Sequence, residues 1–139
     1  MIKVKLIKQE YVNTSLPKGW KPYYIFLIVV DDIEVGKIVL REGTRKERYY
    51  DGHIGYNIEL KYRGHHYAYQ ATKLLIKEAV LLGFDELIIT CSPDNLASKK
   101  TILKLKAEYL ETALIPIALR KDFATDELEK EVYLIKLRR

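Results

Sequence analysis

His53-Ile54-Gly55-Tyr56-Asn57-Ile58-Glu59-Leu60 runs into the break Lys61-Tyr62-Arg63-Gly64-His65-His66, and a stretch from Tyr67 to Leu82 then leads through Gly83 to Leu87-Ile88-Ile89-Thr90-Cys91. These residues decide the fold. The first eight read as a strand. From Tyr67 onward, Ala68, Ala71, Leu75, Ala79 and Leu82 recur at spacings of three and four, with Lys73, Lys77 and Glu78 on the other side, which predicts an amphipathic helix. Gly83 ends it, and Phe84 stands where the hydrophobic contact of a C-terminal cap belongs. Leu87 to Cys91 is apolar on both faces, as a parallel central strand would be. Strand, helix and strand together make one right-handed βαβ unit.

Upstream, Ile2 to Lys8 alternates with period two, so the opening Met1-Ile2-Lys3-Val4-Lys5-Leu6 reads as a strand and not as a signal peptide. Gln9 to Lys21, with Asn13, Thr14, Ser15, Pro17 and Gly19, predicts a loop. Tyr23 to Val30 is β-branched and aromatic throughout, a buried strand that Asp31-Asp32 reverses into Ile33 to Leu40. The polar residues Arg41 to Asp51 predict an exposed loop. Downstream, Asp94 or Asn95 caps a second helix from Leu96 to Lys106. Tyr109 to Leu119 and Glu131 to Leu137 read as strands joined by the polar segment Arg120 to Lys130. The order is β-β-β-β-α-β-α-β-β: a single α+β domain over residues 1–139, with a mixed sheet and one parallel crossover.

A chain of 139 residues with 48% apolar residues, seven Gly and four Pro builds one ordinary core, which excludes disordered, collagenous and low-complexity classes. Its lone cysteine, Cys91, excludes an internal disulfide framework and a multi-cysteine zinc site, and predicts a reducing, cytoplasmic setting. Three His without ligand spacing predict no metal. No run approaches the roughly 18 consecutive apolar residues of a membrane span. A net charge of +5 calls for anionic company: nucleic acid, a membrane surface or a phosphorylated cofactor. The basic residues are scattered along the chain, which disfavours nucleic acid.

Open sheets with a crossover bind ligands at the carboxyl ends of their strands, and a helix N-terminus offers unpaired N–H donors to an anion. Tyr62-Arg63-Gly64-His65-His66-Tyr67-Ala68 lies at that place. Gly64 permits a tight turn, Lys61 and Arg63 add charge, and Ala68 leaves room for a bulky ligand. Physically this is a pyrophosphate cradle, or else an ordinary strand-to-helix turn.

Three motifs in order carry a resemblance. Gly55-Tyr56-Asn57-Ile58-Glu59-Leu60, then Tyr62 to Ala68, then Ser92-Pro93-Asp94-Asn95-Leu96-Ala97-Ser98 resemble the cofactor strand, the Arg/Gln-x-x-Gly-x-Gly/Ala loop and the Asp-Asn-x-Ala-Ser helix opening of the GNAT superfamily of acyl-CoA-dependent N-acyltransferases. Gly52-His53-Ile54-Gly55-Tyr56 is further similar to an uncharacterised bacterial subgroup of it. The resemblance implies that Ile58, Glu59 and Leu60 pair through their backbone with the pantetheine arm of acetyl-CoA. It implies that the amides of Arg63, Gly64, His65, His66, Tyr67 and Ala68 hold the pyrophosphate. It further implies that Asn95 bonds the pantetheine, that Ser98 lies one turn on beside the cofactor, and that Lys99 and Lys100 can meet the ribose phosphate. The implied reaction is N-acetylation of a primary amine by direct attack in a ternary complex, without a metal.

The sequence departs from the family pattern twice. His66 replaces the usual fourth-position Gly of the loop, which predicts that the backbone there lacks free access to positive φ. Ile102 stands where many members carry a Tyr as general acid. For the general base, His53 is the first candidate and Glu59 the second; the competing role of His53 is packing beside Tyr50 or Tyr56. Cys91 is read as packing more readily than as an acyl-carrying nucleophile, and Tyr49 and Tyr50 are candidate acceptor contacts. Glu42, Glu47, Asp51 and Glu59 favour a cationic acceptor. The short segment Gln9 to Lys21 leaves the acceptor side open or completed by a second subunit, which predicts a homodimer. Two other classes compete: a catalytically silent acyl-CoA-binding module and a basic nucleic-acid binder.

Overall fold

In the computed structural model, which describes residues 3–137, the strands fall at β1 Val4–Val12, β2 Tyr23–Val30, β3 Ile33–Arg41, β4 Ile54–Ile58, β5 Glu86–Cys91, β6 Glu108–Leu114 and β7 Glu129–Lys136. The helices are α1 Tyr67–Leu81, after β4, and α2 Leu96–Lys104, after β5. Met1 and Ile2, with which the expected first strand opens, lie outside the described residues. The order of strands and long helices is the expected one. Short 3-10 segments at Leu60–Tyr62 and Ile117–Asp122 add to it.

Two boundaries differ for local reasons. β1 continues past Lys8 to Val12 across a register shift between Lys8 and Glu10, because the backbone of an edge strand can go on pairing with Tyr23 to Ile25 where its side chains lose alternation. The Tyr11 ring lies tilted against Tyr24 there, with centroids 4.4 Å apart. β6 stops before Ile115-Pro116 and not at Leu119, since a proline has no N–H to continue the ladder. The β2–β3 reversal holds, with φ of 51° at Asp31 and 65° at Asp32, the double left-handed conformation that matches strand twist in a two-residue hairpin.

The strands form two antiparallel sheets, β1-β2-β3-β4 and β5-β7-β6. No ladder joins β4 to β5 among the described residues. Their tie is local: the His53 N–H donates to Ile88 O and the Ile88 N–H donates to His53 Nδ1, each at 2.8 Å. The βαβ unit therefore splays beyond this tie, and the gap between the two strands becomes the cleft described below.

One core fills the space under both sheets. Phe26, Ile28, Ile38 and Leu40 of the first sheet meet Ala71, Leu75 and Ala79 of α1, Leu87 and Ile89 of β5, and Ile102 of α2. A smaller cluster of Ile88, Val132 and Leu134 lies on the other face of the second sheet, packed by Tyr49, Leu110 and Ala113. The loop between β3 and β4 reaches over this face. Arg45 grips Glu86 with two bonds of 2.7 and 2.6 Å, and the Tyr49 hydroxyl donates to Glu111. No described helix is long and apolar enough to cross a membrane, and no metal-binding group of His, Cys, Asp or Glu occurs among the described residues.

Candidate active site

A cleft of about 720 Å³ opens between β4 and β5 and is lined by both, by the loop Tyr62 to Ala68, and by α2. Strand register decides which backbone groups face it. The Arg41 N–H donates to His53 O and the Glu59 N–H to Val35 O, so the His53 carbonyl, the backbones of Gly55 and Asn57, and the Glu59 N–H are spent on β3. Alternation turns the amides of Ile54, Tyr56 and Ile58 away from β3, toward the gap. Glu59 is thus withdrawn from the backbone pairing expected of it. Ile58 keeps its N–H for the cleft, while its carbonyl accepts from Arg63 Nε at 2.8 Å.

The loop before α1 is built to leave donors free. Gly64 has φ of +91° with open space where a Cβ would stand. His66, the N-cap, has φ of 64° and ψ of 22°, and no side chain caps the helix. The expected barrier to positive φ at His66 is therefore overcome; the residue sits in the left-handed region despite its side chain. The first bond into the helix runs from Gln70 N–H to His66 O at 3.1 Å, so the first-turn amides have no intrahelical acceptor. Together with the helix dipole they form an anion-binding end. Lys100 and Lys104 of α2 line the same cleft, whereas His65 stacks on Tyr67 and Leu60 is exposed, both outside the lining. Replacing His66 by Gly is expected to raise stability by about 1 kcal/mol, the left-handed strain relieved, in urea unfolding. Unchanged acetyl-CoA affinity in that variant would show that the imidazole itself makes no phosphate contact.

At α2, Asn95 is the cap: its Oδ1 accepts from the Ser98 N–H at 3.1 Å. Both line the cleft. The Ser98 hydroxyl lies 2.8 Å from the hydroxyl of Tyr56, which crosses from β4. Burial raises the Tyr56 phenol above its usual value of 10.0, with the bond to Ser98 working against it. Lys99 is engaged elsewhere, 3.2 Å from buried Glu131, so of the two lysines expected at the ribose phosphate only Lys100 lines the cleft. Ile102 is fully buried.

The first base candidate belongs to the scaffold. His53 is 2% exposed and is absent from the cleft lining; both ring nitrogens are taken by backbone. Because the Ile88 N–H can only donate, Nδ1 must be the bare nitrogen, and Nε2 carries the proton and donates to Gly43 O at 2.8 Å. Burial holds its pKa below 6.5. The imidazole faces Phe84 edge-on, not Tyr50 or Tyr56 as the packing alternative had it. Glu59, the second candidate, is exposed and outside the lining. Carboxylates that do line the cleft are Asp51, bonded by Arg48 at 2.9 Å, and Glu127, which accepts from Ser92 and Lys130 at 2.5 Å each. Burial works to raise Glu127, but these bonds outweigh it and hold the carboxyl below its usual range.

Arg41 fixes the loop carrying Asp51 by donating to the carbonyls of Asp51 and Gly52 at 3.1 and 3.0 Å. Cys91 lines the cleft but is buried, and burial, then the Glu131 charge, push its thiol up to about 11. Of the proposed acceptor contacts, Tyr49 is spent on the second cluster and Tyr50 packs edge-on against it. Sequence reasoning missed Tyr56, Asp51 in this role, and Glu127. Only Tyr56 carried a signal, its alternation with Ile54 and Ile58 toward the interior.

A groove with one free strand edge that ends at the bare amides of a helix defines a class: domains that hold a long, anion-bearing ligand alongside a strand. The model of the Acetyltransferase (GNAT) domain matches residues 5–108, and the chain belongs to that family. No curated protein matches it. Among solved structures it is similar to RimL, the ribosomal L7/L12 alpha-N-protein acetyltransferase, with a TM-score of 0.67 and 16% identity over 84% of this chain and 71% of that one. It is also similar to the microcin C7 self-immunity acetyltransferase MccE, in complex with acetyl-CoA and AMP, with a TM-score of 0.64 and 18% identity over 82% and 61% of the two chains. A GNAT-family acetyltransferase from Bacillus anthracis gives a TM-score of 0.63 and 21% identity over 81% and 66%. The chain thus spans less than two thirds of the second and third.

Proposed function

We propose that the protein transfers the acetyl group of acetyl-CoA to a primary amine by direct attack in a ternary complex. The observation that carries this is the continuity of the cleft, which runs from the donor-rich loop at Gly64 past the free edge of β4 to Asp51 and Glu127. The loop amides, with Lys100 and Lys104 nearby, suit a pyrophosphate, and the amides of Tyr56 and Ile58 suit the pantetheine arm and the polarised thioester carbonyl. A covalent relay through Cys91 is disfavoured, since a thiol near 11 is almost wholly protonated at neutral pH. Asp51 and Glu127 replace His53 and Glu59 as groups placed to accept the amine proton.

The case for a cationic acceptor is weaker than the acidic residues suggest. Glu42 accepts from Tyr11, Glu47 pairs with Lys21, and Asp51 and Glu127 each face a cation. The short segment between β1 and β2 supports a second copy closing the acceptor side, and a single buried thiol supports a reducing compartment.

A second reading, the silent acyl-CoA-binding module, draws on buried Ile102 and on the paired state of both cleft carboxylates. One experiment separates the two. Calorimetry should give micromolar binding of acetyl-CoA and CoA, and thiol release should rise above the amine-free rate with one of a panel of peptide N-termini, lysine side chains, polyamines and aminoglycosides. Binding with no amine-dependent release would leave the silent module.

A further inference from the structure

The thiolate that departs in acetyl transfer must be protonated or held by a donor, and Ile102 offers neither. A phenol nevertheless enters the cleft from the opposite wall. Tyr56 stands on β4 between buried Ile54 and Ile58, and its hydroxyl bridges to Ser98 in the first turn of α2 at 2.8 Å. Thr101, three residues on and so on the same helical face, lines the cleft together with Tyr56 and Ser98. The backbone of Tyr56 also faces the gap, so an arm laid along the free edge of β4 passes this residue.

We propose that Tyr56 is a catalytic residue whose phenol, held by the Ser98 hydroxyl, gives its proton to the thiolate of coenzyme A as it leaves. This rests on the acetyl-transfer reading above. The amine nitrogen forms a bond to the thioester carbonyl carbon. As the intermediate collapses the C–S bond breaks, its electron pair goes to sulfur, and sulfur takes the phenolic proton. The phenolate regains a proton from water through the Ser98 hydroxyl, while the proton shed by the amine leaves to solvent at the Asp51 end. Net, one thioester and one amine become one amide and one thiol.

Ser98 is a positioning residue. Its hydroxyl can accept from the phenol before transfer and rotate to donate to the phenolate afterwards. A phenol is also a far stronger acid than an aliphatic hydroxyl, which makes Tyr56 and not Ser98 the proton source. Burial keeps the phenol protonated across the neutral range, the form a donor needs.

The test uses the full chain with Tyr56→Phe, which keeps the ring and removes one oxygen, and Ser98→Ala. In the complex with CoA, the apparent pKa of the bound thiol is read from the ultraviolet absorbance of its thiolate. Tyr56→Phe should raise that pKa by about one unit, because the thiolate loses a hydrogen bond, with Ser98→Ala intermediate. Turnover of Tyr56→Phe should fall by about 10²-fold at unchanged acetyl-CoA Kd. Identical thiol titration in the native and Tyr56→Phe complexes, or a loss confined to KM, would overturn the role of Tyr56 and leave acetyl transfer standing. Failure of the native protein to bind either acetyl-CoA or CoA would overturn both. If Tyr56→Phe does not fold, the titration of Ser98→Ala decides: no shift sinks the proposal.

Discussion

Gly64→Asp is expected to weaken acetyl-CoA binding by at least about a hundredfold, read by calorimetry. A carboxylate about 4–5 Å from a pyrophosphate charge costs about 3–4 kcal/mol at a surface-like effective dielectric, and a hundredfold corresponds to roughly 2.7 kcal/mol. The side chain has somewhere to go, since nothing lies within 4 Å of the added Cβ. Its φ of +91° adds backbone strain that any non-glycine residue would share. Gly64→Ala isolates that strain: it should cost about 1 kcal/mol of stability and only a few-fold in affinity. Equal binding by native protein and Gly64→Asp would remove the pyrophosphate from this loop.

The second large effect falls on stability. His53→Ala should cost about 3–5 kcal/mol in urea unfolding, since it leaves a cavity, strands the buried Ile88 N–H and removes the partner of the half-buried Gly43 O. The same variant should lose a pH dependence. The folded state disfavours the protonated imidazole because burial strips it of water, which holds its pKa below 6.5, and a second ring N–H would also face the Ile88 N–H. The unfolded chain takes up the proton first as pH falls, so the stability that neutral His53 confers is complete above about pH 6.5 and drains away as pH drops through the folded value. In His53→Ala that acid-side decline should flatten. Catalysis per folded molecule should survive, whereas a base at this position would take nearly all activity with it.

The local elements were legible because their signals are local. The apolar spacing from Ala68 to Leu82 and the Asp31-Asp32 turn each act within a few residues. The site was legible where it is made of backbone or of a local cap, as at Gly64, the first turn of α1 and the Asn95–Ser98 turn. His53 reads as a base from its residue type and strand position, yet its partners are main-chain groups ten and 35 residues away, which no side-chain pattern announces. Glu59 fails for a subtler reason. An edge offers alternate residues, and whether the odd or even set faces the cleft depends on pairing with β3. Tyr56 and Ser98 are 42 residues apart, and only the closing of β4 against α2 brings them together.

The division into two sheets has a bearing on how the chain is made. Each sheet is woven from strands that follow one another in sequence, so a chain emerging N-terminus first can finish β1 to β4 and lay α1 across them before β5 exists. That early half cannot close its interior, since Leu87, Ile89, Ile102 and Tyr133 arrive later and belong to the same core. Until they do, the growing polypeptide carries an apolar surface into solvent. Synthesis therefore passes through a stage in which half the molecule is shaped and none of it is sealed.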